Sequence, residues 1–208
     1  MTVSIALPER ASLVRRARLL AWGGIAWHAL EFGVALGAGL AASSIALVGF
    51  GIDSAVEAAA GAVVVWRFGA RRSAAEDAER RAQQLIALSF FLLAVYLAVE
   101  ASRTLALAHE PDPSWVGIGL AGVTALTMPA LAGAKRRVGR RLGSAATVSE
   151  GAQNMVCAYL SVALLLGLGA NAAFDWSWAD PLAAFVIAAV AVREGRASWR
   201  GEACCEVC

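Results

Sequence analysis

Six apolar runs follow one another along the chain. Five of them are near the length of about 20 residues that carries a helix across a bilayer's hydrocarbon core, and the sixth is shorter and must lean on Trp178 and its ends. They fall at Leu19–Leu40, Ser44–Trp66, Leu85–Ala106, Trp115–Ala134, Glu150–Ala170 and Ala179–Val192. No other feature restricts the fold as much. Lipid offers no hydrogen bonds to a backbone, so a lone spanning segment of this length must be an α-helix. The sequence therefore reads as an all-α, polytopic membrane protein with six transmembrane helices. Composition agrees: 59% of the 208 residues are hydrophobic and only 16% are charged, where a soluble domain carries about 25% charged residues.

Basic residues set the direction of the spans, because cytoplasmic loops carry the excess of lysine and arginine. Seventeen of the eighteen lie on one side. They cluster before span 1 (Arg10 to Arg18), between spans 2 and 3 (Arg67 to Arg81), between spans 4 and 5 (Lys135 to Arg141) and after span 6 (Arg193 to Arg200). Only Arg103 falls near the other side. Both termini are expected to be cytoplasmic. The net charge of +2 gives no reason to expect a nucleic-acid partner; the expected surroundings are lipid. The opening segment, with Pro8 and Glu9 breaking its apolar stretch, does not follow the order of a cleavable signal. The domain reading is a cytoplasmic segment at 1–18, a six-helix membrane domain at 19–195 and a cysteine-rich cytoplasmic tail at 196–208.

Acids occur inside the apolar runs, where a charge costs a few kcal/mol and defaults to a functional hypothesis. In "VGFGIDSAVEAAAGAVVVW", Asp53 and Glu57 stand four apart and so share one helix face. Asp53 is too deep and too short to reach water. Glu31 lies near the middle of span 1, one turn after His28. Asp180, in "WADP", is either a pathway acid at the mouth of span 6 or a helix-start residue. Span 5 begins "SEGAQNMVCAY", which puts Glu150, Gln153, Asn154 and Cys157 on one polar stripe. A carboxylate, an amide and a thiol there could ligate a metal, the thiol favouring soft ions such as zinc, cadmium or copper(I). They could equally be a helix-packing face.

The segments "SSIALVGFGIDSAVE", "SEGAQNMVCAYLS" and "WADPLAAFVIAAVAVREG", in this order, resemble the cation diffusion facilitator family. That resemblance implies a six-helix transporter exporting zinc or a similar divalent ion in exchange for protons, usually as a homodimer. It implies no enzyme activity and no resident cofactor. The family's central metal site uses two residues four apart in span 2 and two more in span 5. Those positions fall here on Gly49 and Asp53, and on Gln153 and Cys157. Only Asp53 has the usual chemistry: an amide replaces an imidazole, a thiol replaces a carboxylate, and Gly49 has no side chain. The resemblance also carries over an acid at Glu150 and the aspartate at Asp180. Glu57 and Glu31 are candidate replacement ligands or proton carriers.

The last residues, "GEACCEVC", crowd Cys204, Cys205 and Cys208 together. In a reducing cytoplasm they suit a soft-metal clamp, an acylation site or no role at all. The reading is an exporter of divalent or soft transition metals in the plasma or inner membrane, with a metal ion and protons as its partners. The rival is a non-transporting scaffold, sensor or chaperone on the same fold.

Overall fold

The computed structural model describes residues 7–41, 45–69, 76–107, 114–174 and 179–201. They form six helices: α1 (Leu7–Ala41), α2 (Ile45–Arg67), α3 (Glu76–Leu107), α4 (Trp115–Leu142), α5 (Ala145–Phe174) and α6 (Ala179–Trp199). No strand occurs among the described residues. The chain is an all-α, polytopic membrane protein. Among the described residues, α1 to α4 are each long and apolar enough to cross a bilayer.

Every apolar run is a helix, but most helices outlast their runs on the arginine-rich side. α1 begins at Leu7 rather than Leu19, so much of the 1–18 segment is its first turns. α3 begins at Glu76, and α4 continues to Leu142. Elongating an existing helix adds a hydrogen bond per residue ordered, and Ala, Arg, Glu and Gln are good helix formers. The stretch after Ala134, expected as a basic loop, is therefore helical. Only Gly143 and Ser144 join α4 to α5. Gly143 takes φ 65°, which glycine adopts without a Cβ penalty. Its N–H donates to Arg140 O (3.2 Å), and Ser144 N donates to Gly139 O (2.9 Å). These bonds close the helix and reverse the chain.

The faces of the bundle suit a lipid solvent. α3 exposes Leu85, Leu88, Leu92, Val95 and Val99 along one side while Ser89 is buried. α4 lies along α5, α1 along α2 and α3 along α6; α5 also meets α2, α3 and α6. One apolar cluster joins Val64, Ile86, Phe90, Leu93, Val156 and Ile187. A second joins Ala35, Leu47, Phe50, Ala121, Met128 and Leu164. Gly151 lets α5 approach α4 closely, since a Cβ there would lie 3.0 Å from Ala132 O. Small residues at such crossings let backbones come together where hydrophobic drive is absent.

At the arginine-rich end a carboxylate fastens three helices. Glu79 of α3 pairs with Arg67 of α2 (2.6 Å). It also accepts from Ala146 N (2.7 Å) and Ser144 Oγ (3.0 Å) at the start of α5. An anion there complements the free N–H groups and the dipole of the helix N-terminus. With these ends fixed, α2 and α5 are held side by side, and their polar stripes face inward.

Candidate cation pathway

The four-residue spacing of Asp53 and Glu57 does what helix geometry requires: both point from α2 to the interior. Both are buried, at 1% and 3% exposure. α5 brings Cys157, 1% exposed, to the same place. One donor atom from each of Asp53, Glu57 and Cys157 lies within 4.8 Å of the others. A second group, His28 and Glu31 of α1 with Glu57, meets the same limit. Glu57 is common to both, so the two groups are contiguous.

Hydrogen bonding separates the acids. Glu31 is well supplied: Thr124 of α4 donates to its Oε1, Ser54 Oγ lies 3.3 Å from its Oε2, and His28 Nδ1 lies 2.8 Å from the same oxygen. Asp53 and Glu57 are not. Neither oxygen of either side chain accepts an aligned hydrogen bond from an N–H or O–H group, and the Cys157 thiol is the donor beside them. His28 Nδ1 comes within 3.2 Å of Glu57 Oε2, near enough for ion pairing but without hydrogen-bond alignment. A buried polar group without a partner costs about 1–3 kcal/mol by mutational measures, and an isolated charge costs more. Four carboxylate oxygens and a thiol turned toward one another are therefore an unfavourable arrangement for the protein alone. Protons or a bound cation relieve it. Carboxylate oxygen with thiolate sulfur is a donor set that zinc and softer ions accept.

The remaining sequence candidates are placed as follows. Gln153 turns to α3, donating from Nε2 to Ser89 Oγ (3.1 Å), with Ser89 Oγ also 3.3 Å from Gln153 Oε1. The amide at the family's imidazole position is thus occupied with a serine. At Gly49 a Cβ would fall on the hydroxyl of Tyr96 of α3; that phenol fills the place of a side chain on α2. Glu150 is buried at 2% and pairs with Lys135, while its Oε2 makes no hydrogen bond. Asp180 falls in the first turn of α6, but its side chain is outside the described ones. Cys204, Cys205 and Cys208 lie outside the described residues.

Three participants were not singled out from sequence. Ser54 and Thr124 are ordinary small polar residues until α2 and α4 bring them to Glu31 of α1. Lys135 was counted among loop charges, yet it is 1% exposed inside α4. A signal existed. The buried positions of α4 are Gly117, Ala121, Thr124, Met128, Ala132, Lys135 and Gly139, every step three or four, which marks one helix face. Lys135 lies on that stripe.

The family model for the cation efflux transmembrane domain matches residues 24–198. No curated protein matches the chain. The matched region takes in α2 to α5, most of α6, the second half of α1 and every residue of the two ligand groups, and on that extent the chain belongs to the cation efflux family.

Proposed function

We propose that this metal cation efflux transporter carries thiophilic divalent ions, cadmium and zinc above harder ones, through a site made by Asp53, Glu57 and Cys157. The observation that supports this most is the set of four buried carboxylate oxygens with no aligned N–H or O–H donor and only the Cys157 thiol beside them. Metal ligands must give up protons to bind. Ion and proton then compete for the same oxygens and sulfur, and each entry of a metal ion releases protons. Alternating exposure of such a site to the two sides gives export in exchange for protons. Glu57 joins both ligand groups, so a proton displaced from Asp53 or Cys157 has a next carrier at Glu31 and His28 without crossing apolar surface. The chain would act as a homodimer associating through its membrane helices, in the plasma or inner membrane.

The test is reconstitution in vesicles with an imposed pH gradient, comparing zinc, cadmium, cobalt and manganese. Expected is metal-dependent proton movement, strongest for cadmium and zinc. A rival reading, a metal sensor or scaffold, draws on Gln153 being engaged with Ser89 and on Tyr96 filling the place above Gly49. It predicts binding to the protein with no flux under any gradient.

A further inference from the structure

A lysine buried at 1% inside a membrane helix needs an explanation. Lys135 runs from α4 into the gap between α1 and α5. α1 makes room for its ammonium at Gly24, where a Cβ would stand 2.8 Å from Nζ. On α5, Nζ donates to Glu150 Oε1 and to Asn154 Oδ1, the latter at 2.7 Å. An ammonium can only donate. It therefore fixes the amide of Asn154, turning Oδ1 toward itself and Nδ2 the other way. Asn154 Nδ2 lies 3.0 Å from His28 Nε2. With an N–H2 donor facing it, Nε2 must accept, and in the neutral ring the proton sits on Nδ1. Nδ1 is the atom hydrogen-bonded to Glu31 Oε2, with Glu57 Oε2 3.2 Å away.

We infer that Lys135 is a tethered cation that holds the His28, Glu31 and Glu57 group closed to metal. It does so through Asn154, which keeps His28 presenting an N–H, not a lone pair, to Glu31 and to the space beside Glu57. Metal binding at Nδ1 requires the other tautomer, whose Nε2–H needs an acceptor. Asn154 supplies one only by rotating its amide, which turns N–H2 groups onto the Lys135 ammonium. Lys135 is thus a positioning residue that limits how many ions the polar interior takes. The inference rests on the cation-pathway reading above.

The experiment counts bound cadmium in the purified full chain, in nanodiscs, by equilibrium dialysis with metal analysis. Lys135→Met and Lys135→Gln each remove the charge, and monodisperse elution with a cooperative melt establishes folding. Both are expected to bind one more cadmium ion per chain than the wild type, and the gain is expected to vanish when His28→Ala is added. A folded neutral variant with wild-type stoichiometry overturns the inference and leaves the Asp53 site standing. No cadmium bound by any form, wild type included, overturns both. A readout on the wild type alone guards against misfolded variants. The chain has two histidines, and 15N-histidine spectra with His109→Gln for assignment report the tautomer of His28. The Nδ1–H form is expected to persist in saturating cadmium. Coordination through Nδ1 in the wild type would overturn the inference.

Discussion

Replacing Asp53 with Asn should make the metal-free protein more stable and the transporter inactive. Asp53 and Glu57 present oxygens within 4.8 Å of each other, and neither accepts an aligned hydrogen bond from an N–H or O–H group. At an effective dielectric of about 20, two unit charges at that distance repel by about 3.5 kcal/mol. Protonation of one member relieves part of this, so the realised gain on removing a charge is expected near 1–2 kcal/mol. For a domain of this size each kcal/mol moves the melting temperature by about 2–4 °C, which sets the expected rise at about 2–8 °C. Metal reverses the order. A ligand at a hundred times its dissociation constant stabilises by about 2.7 kcal/mol. The wild type should gain that much from cadmium and Asp53→Asn should gain little. Asn is nearly isosteric, so packing is preserved and the effect is electrostatic. The assay is thermal unfolding in detergent with chelator and with cadmium, alongside flux in vesicles. A lower melting temperature in chelator for Asp53→Asn would refute the repulsion argument. Wild-type flux in that variant would remove Asp53 from the site.

Cys157 is 1% exposed and within ligand distance of both acids, so Cys157→Asp should lower the cadmium-to-manganese preference about tenfold or more, on the softness of the donor; an unchanged metal ranking in competition flux would mean the thiol only packs. Replacing Cys204, Cys205 and Cys208 together with Ser should raise the half-saturating metal concentration and spare the maximal rate, as expected of a tethered capture segment; a loss of maximal flux at unchanged half-saturation would point to folding or assembly instead. A reporter active only in the cytoplasm should work at residue 208 and fail in the loop at 110–114, because seventeen of eighteen basic residues lie on one side; the opposite pattern would invert the topology.

Much of the architecture follows from residue type along the chain. Apolar runs report the solvent a segment meets, so they located all six helices. They could not mark where helices end in water, because helix continues through Arg, Glu and Ala as readily as through Leu. α4 therefore ran on through the segment expected to be a loop. Periodicity along one helix also put Asp53 with Glu57, and Glu150 with Gln153, Asn154 and Cys157, since those relations are internal to α2 and α5. Relations between helices were closed to that reasoning. Whether Gln153 faces Asp53 or Ser89 depends on how α5 is rotated against α3. Whether the absent side chain of Gly49 leaves space depends on Tyr96, far away in sequence. The largest difference concerns Lys135. Counted along the chain it is one more positive charge on the cytoplasmic side. Placed on the buried stripe of α4, it pairs with Glu150 and orients Asn154. Sequence determines that this membrane protein carries acids and a thiol at depth. Only the packing of α1, α2, α4 and α5 decides which of them are satisfied, because a hydrogen bond is made by the distance and angle between two helices and neither is written in either helix alone.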